Sequence, residues 1–485
     1  VATKINFVKN FYKSKSLSLS SQRLVNMYAE IEPQETRVGS GEQGSPIALF
    51  ECAGLRTLLT VPTYAPVHAL KTMGNYLYAV VGNKLYQIDD SFTATLKGTI
   101  PLSSNKVRLS VNNTGIDLVV LAFNGSSWIY NSTADTFTQI TDGDYQDASD
   151  VTSIDGYSVF SKLDSDQFFN SDLRVPSSYN ALNFQTAEGE PDNLVAIRTV
   201  SGEIWNIGEK TIEIYRNVGG NPIFARIDGT TIRIGCLTRD SVSVLDSEDT
   251  IFWLGSDKMI YAARGYKKQK ISTFPIDQEL ESYSITELEN CTSFTYSSEG
   301  HKYYVITFPD KERTFTFDLT TGLWHERESY DNNTHKVTRW RANCSADFNG
   351  RRIMGDYQTG ILYYLDNTYH KEGENRMIVK MVISPLFNSF LRTKVTALYV
   401  DIETGAGITS GEGSDPKLML QISKDGGHTY GSEIWRDIGK IGEYRTRVKI
   451  TPIGSSDNFT FKIAISDPIK RYVLGGYISY EVGTE

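Results

Sequence analysis

Cysteine is scarce in this 485-residue chain: Cys52, Cys236, Cys291 and Cys344 stand far apart, with no Cys-x-x-Cys pair. That spacing excludes a zinc ribbon or a redox dithiol and predicts buried free thiols. The six histidines form no His-x-x-x-His or His-Glu-x-x-His pattern, so no metal site is expected. There is no Gly-x-Ser-x-Gly elbow, no P-loop and no dinucleotide fingerprint, and hence no expected cofactor. The catalytic inventory is empty, which favours a binding or structural role. No apolar run is long enough for a membrane span, and no signal peptide is evident. Positive charge is also short: 49 Lys and Arg against 58 Asp and Glu leave a net charge of −9. A general nucleic-acid binder would carry a basic stripe. The deficit still allows a wall that nucleic acid slides past, because phosphate affinity comes from Lys and Arg.

Aromatic residues are plentiful. Tyr (28) and Phe (22) far outnumber Met (7), as expected of a β protein. Thr250 to Ala262 shows the organising unit: two apolar runs flanking Gly255-Ser256-Asp257-Lys258. Gly beside Ser and Asp supplies a tight turn, so the stretch predicts a hairpin covered on both faces. Comparable units start at Tyr76, Leu118, Tyr157, Glu203, Tyr303 and Arg352, with turns at Gly82-Asn83, Asn124-Gly125, near Asp164, at Gly208, at Pro309-Asp310 and between Gly355 and Gly360. Steps of about 40–50 residues are those of propeller blades. Further strands precede the hairpins, and weaker ones follow. The fold expectation is all-β: a β-propeller of about seven (possibly six) blades with a separate C-terminal β-sandwich-like platform domain. An irregular β-rich fold is the alternative.

Taken in order, residues 1–45 read as an N-terminal arm or docking segment, with a Gly/Ser-rich connection over 38–45. Residues 46–372 carry the propeller, and 376–485, where strands alternate plainly, carry the sandwich. Asp164 to Asn193 reads as a long rim loop, Ile276 to Leu288 as helical, and Thr404 to Asp415 as a mobile loop.

Ser423-Lys424-Asp425-Gly426-Gly427-His428-Thr429-Tyr430 resembles an Asp-box, with Ser423, Asp425, Gly427 and Thr429 in the defining places. Its job is to close a turn: Asp accepts backbone N–H groups and Gly takes positive φ. Sialidases carry such boxes across their blades, so an Asp-box carbohydrate-active or glycan-binding propeller is the alternative function; here the box occurs once. Arg445-Thr446-Arg447, Lys470-Arg471 and Arg351-Arg352 are the densest basic spots, read either as solvated strand faces or as a subunit interface where arginine forks meet carboxylates. Arg23, Asn26, Tyr28, Arg445, Arg447 and Arg471 are the candidates for contact with a neighbouring subunit or adaptor.

The C-terminal run Gly439 to Arg447, with Phe461 to Pro468 and Gly475-Gly476-Tyr477, resembles the packaged-DNA stabilisation proteins of short-tailed bacteriophages, the tail hub or nozzle proteins. Gln22 to Tyr28, Gly54-Leu55, Gly208 to Tyr215 and the Ser423 to Tyr430 turn fit as well. The resemblance implies a virion protein assembled in the host cytoplasm: a homo-hexameric ring below portal and adaptor proteins. It further implies contacts with a tail needle or plug and with tail fibres or spikes. Double-stranded DNA would pass through without sequence-specific contacts. A bore that is neutral or acidic is expected, because six copies at −9 each would need unusual segregation of basic residues to attract DNA. Asp164 to Asn193 is the candidate for a loop reaching the bore or the tip.

Overall fold

The computed structural model describes residues 2–5, 11–17, 20–31, 46–101, 106–122, 125–187, 189, 192–383 and 391–482. Five four-stranded antiparallel sheets come first. The first consists of Val67–Met73, Tyr76–Val81, Lys84–Ile88 and Ala94–Thr99; the others span 107–139, 148–186, 194–226 and 243–270. A sixth unit of four strands, 292–326, leads a ten-stranded sheet. A seventh, Ala342–Phe348, Arg351–Asp356 and Ile361–Asp366, takes its fourth strand, Gly54–Thr60, from ahead of the first unit. The result is a β-propeller closed by strands from both ends of its own sequence.

The middle strands are apolar on both faces because each sheet is sandwiched between two others. Asp117–Ala122 and Thr250–Leu254 are buried along their whole length. Between the first two units, Tyr78, Val80 and Leu85 meet Leu118, Val120, Trp128 and Tyr130. Each such side chain contributes roughly 1.5–3 kcal/mol by leaving water. The last unit packs on the first in the same way, with Phe348, Ile353 and Leu362 against Val67, Leu77 and Val81. Towards the axis the strands turn polar and hydroxyls bridge neighbouring units: Ser110 to Ser153 at 2.7 Å, Thr152 to Thr199 at 2.8 Å and Ser243 to Ser293 at 2.7 Å.

The predicted turns fall into place at Gly82 (φ +56°) and Gly125 (φ +86°), while Asn124 lies outside the described residues. The helical stretch is two helices, Phe274–Glu281 and Ile285–Glu289, the second opened by a Ser284/Glu287 capping box.

Two expectations need correction. Asp164 to Asn193 is not a rim loop: Gln167–Asp172 pairs with Val175–Thr186, the outer strand of the third unit. Of that strand only Pro176 and Tyr179 are buried, so no apolar alternation marks it, and Pro is tolerated because the edge has no further strand partner among the described residues. Pro46–Glu51, expected to open the propeller, pairs with Met27–Ile31 and touches Val473–Val482 in the C-terminal domain. The Gly/Ser connection at 38–45 lies outside the described residues.

The sandwich has two sheets. One contains Met27–Ile31, Pro46–Glu51, Val473–Val482, Thr393–Ile402 and Val448–Ile450, with Ala2–Ile5 on Val473–Val482. The other continues the sixth propeller unit: Leu323–Glu326 meets Ser21–Val25, followed by Val379–Ile383, Thr460–Ile465, Lys417–Ser423 and Ile434–Asp437. Leu24, Met27, Leu49, Leu398, Leu418, Phe461, Ile463 and Ile478 fill the space between them. The N-terminal strands are thus built into the sandwich, and one sheet runs from it into the propeller.

Candidate functional site

The Asp-box-like turn closes as its residue types dictate. Asp425 accepts the Thr429 N–H at 2.9 and 3.0 Å and the hydroxyls of Ser423 and Thr429 at 2.6 and 2.5 Å. The Ser423 hydroxyl accepts the Gly427 N–H at 2.8 Å. These hydrogen bonds, the Ser423 hydroxyl foremost, hold the Asp425 carboxyl well below the usual carboxylate range. Gly427 has φ +96°, and a Cβ there would lie 2.9 Å from the side chain of Ser21. The turn therefore rests against the N-terminal strand, and its polar groups are spent on its own closure.

Four of the six interface candidates meet at the seam between propeller and sandwich. Arg23 forks onto Glu326 at 2.7 and 3.0 Å and reaches Glu328 at 2.7 Å. Arg313 holds the other side of Glu326, and Lys380 the other side of Glu328. Asn26, with φ +55°, donates to the carbonyls of Glu328 (2.8 Å) and Ile378 (2.9 Å), one on each side of the seam. The Tyr28 hydroxyl donates to Glu299 at 3.0 Å, and burial together with that carboxylate pushes its pKa far up. Arg471 is 0% exposed; it donates to Glu51 at 2.7 Å, to the Met377 carbonyl at 2.5 Å and to the His370 carbonyl at 3.3 Å. Each of these four side chains finds a carboxylate or carbonyl within the chain; Asn26, Tyr28 and Arg471 are buried, and Arg23 is partly exposed.

Arg445 and Arg447 are different. Both are exposed, beside Tyr444 (74% exposed) and Ile441 (53%), and no ion pair engages either among the described residues. Arg447 flanks a groove with Tyr399, Asp401 and Tyr477. Across this sheet Lys449, Tyr399, Tyr477 and Lys4 form a cross-strand row, with the Lys449 ammonium 5.4 Å from the Tyr399 ring. Of the six candidates, these two arginines are the exposed ones.

His301 ties the arm to the sixth unit. Its Nδ1 lies 2.7 Å from Asp318 and its Nε2 3.0 Å from Glu30. Burial opposes the imidazolium, but hydrogen bonds to Asp318 and then Glu30 outweigh it and raise the pKa. A raised folded-state pKa gives stability that is full below the unfolded value of about 6.5 and is lost as pH rises through the folded pKa. The difference in unfolding free energy between the native chain and a His301→Asn variant should therefore be largest in mild acid and shrink towards alkaline pH. Paired denaturant titrations across that range check it, and a pH-independent difference would refute it.

Sequence reasoning missed a second charged cluster, on the propeller axis. Lys106, Arg108, Arg198 and Arg239 gather around Asp150 and Asp240. The available signal was charge within the innermost strands, but spacing alone does not bring four units to one axis. Burial pushes the Cys52 and Cys236 thiols up to about 11, Cys344 to about 12 and Cys291 further. No group of His, Cys, Asp and Glu suited to a metal occurs among the described residues.

A propeller sharing a sheet with a sandwich, fastened by arginine–carboxylate contacts at their seam, is a scaffold of the β-propeller class. Comparison with known families makes it particular. The family described as "Bacteriophage P22 Gp10, beta-propeller" matches residues 3–370, and "Bacteriophage P22 Gp10, beta-sandwich" matches residues 380–481. The chain belongs to this phage Gp10 family of packaged-DNA stabilisation proteins, structural proteins of the phage tail. No curated protein matches it. Among solved structures, selenomethionine-substituted virginiamycin B lyase from Staphylococcus aureus is similar at a TM-score of 0.45 and 10% identity, covering 64% of this chain and 98% of that one. A likeness that low transfers nothing to this chain.

Proposed function

We propose that the chain forms a hexameric nozzle below the portal and adaptor of a short-tailed phage, retaining packaged DNA and conducting it at ejection. The observation that carries this reading is the match of both Gp10 domains, in order, along nearly the whole chain. The seam supports it: a sheet shared by two domains suits a part that bears load without hinging. The exposed Arg445 and Arg447 are the proposed contacts to a neighbouring subunit or to the adaptor. A net charge of −9 per copy suits a bore that does not hold the sliding duplex. The reading includes no catalysis, and the single Asp-box-like turn, committed to its own closure, lends a glycosidase no support.

The test is particle assembly without this protein. Capsids should fill with DNA and then lose it, measured as nuclease-sensitive genome in purified particles. Particles that keep their genomes and fail only in host attachment would replace this reading with a receptor-binding role.

A further inference from the structure

The innermost strands surround a chamber of about 290 Å³ on the propeller's own axis, lined among others by Lys71, Lys106, Arg108, Arg198, Asp240 and Asn343. This size sits at the small end of ligand pockets, roughly 300–1,000 Å³. Charge is unevenly placed at one end of it. Asp150, with a fully buried side chain, is approached by Arg198 and by Arg108 (3.7 Å), and also accepts the Val151 and Ile197 N–H groups. Asp240 is shared by Lys106 (2.9 Å), Arg108 (3.0 Å) and Arg239 (3.6 Å). Four cations thus surround two carboxylates, a surplus of two positive charges before Lys71 at the rim is counted. His68, which also lines the chamber, adds none near neutral pH, since burial pushes it down to about 4.

Two further observations point to an anion-binding site. The Arg108 Nε is buried and meets no hydrogen-bond acceptor among the described residues, with Asp150 at 3.7 Å. The Arg198 guanidinium has its pKa lowered, by burial first; Asp150 opposes this, while Arg108 and Arg239 press it down further. Uncompensated buried charge is costly unless paired. Guanidinium forks prefer oxygen pairs to a spherical ion.

We propose that this axial chamber binds a small oxyanion of the phosphate class, seated between Arg108, Arg198 and Lys71. The site is closed to a polynucleotide by its size and is independent of the nozzle reading. The bound anion braces three propeller units from within, because its ligands come from the first, second and fourth units.

Isothermal titration of the full chain with inorganic phosphate, against chloride at matched ionic strength, tests this. The expected result is a saturable one-to-one heat with phosphate alone and a raised thermal midpoint. Arg108→Gln should weaken binding by about tenfold or more. Lys71→Gln, at an exposed position that leaves the fold intact, should weaken it severalfold. Phenyl phosphate distinguishes the source: comparable binding indicates a phosphomonoester site, and exclusion indicates free phosphate. Absence of a saturable phosphate heat, or unchanged affinity in a folded Lys71→Gln protein together with Arg108→Gln, would overturn the proposal.

Discussion

Replacing Arg471 with methionine should cost about 3–5 kcal/mol of stability, the effect of removing one partner from a buried ion pair. Methionine keeps much of the apolar stem and removes every donor. Among the described residues Glu51, 7% exposed, would retain His370 at 2.7 Å, and the Met377 carbonyl would lose the Arg471 donor. Because Glu51 leads from the sandwich into the propeller's closing strand, the loss should appear as a lower denaturation midpoint in which the two domains no longer unfold together. The double variant Arg471→Met with Glu51→Leu should regain much of the loss, since an apolar pair avoids the stranded charge. A cost below about 1 kcal/mol for the single variant would mean that the pair is solvated and does not fasten the seam.

Gly54→Ala is the second large effect. A Cβ there would lie 1.8 Å from the Tyr369 carbonyl oxygen and 2.6 Å from that of Lys371, both backbone atoms that cannot swing away. The strand beginning at Gly54 is held between Ile361–Asp366 and the segment around Glu372, with the Gly373 N–H donating to Leu55 at 2.7 Å. The methyl must push the closing strand outwards, so a loss of about 3 kcal/mol or more is expected, at or beyond the usual range for overpacking. Hydrogen exchange should speed up over both 54–60 and 361–366. Gly143→Ala, where the added Cβ meets nothing within 4 Å, is the matched control and should change little. Equal midpoints for the two variants would show that closure does not depend on the close approach at Gly54.

Some features were legible because their causes are local. A strand buried on both faces must be apolar throughout, so Thr250–Leu254 announces itself. The Asp425 turn is equally plain, since its partners lie within four residues. The outer strand Val175–Thr186 was hidden because an edge strand with one wet face needs little apolar patterning. The fourth strand of the last unit could not be read beside its partners, because it is supplied from ahead of the first unit. Arg471 looked like a surface residue for a similar reason: its carboxylate is 420 residues away. A basic dipeptide is the same string whether water or a distant glutamate receives it. Arg445 and Arg447, with no such partner among the described residues, kept the exposure their sequence implied.

The interleaving of early and late strands also sets an order of events at the ribosome. Ala2–Ile5 waits for Val473–Val482, Ser21–Val25 for Val379–Ile383, and Gly54–Thr60 for Ile361–Asp366. At roughly 5–20 residues per second, synthesis of 485 residues takes about 25–100 s. For most of that time the first strands have unpaired edges, while the middle propeller units can already stack. Neither the ring nor the sandwich can close until the late strands emerge, so a chain cut short upstream of them cannot present a finished surface. Prematurely ended products are thereby left with open strand edges in place of two closed domains.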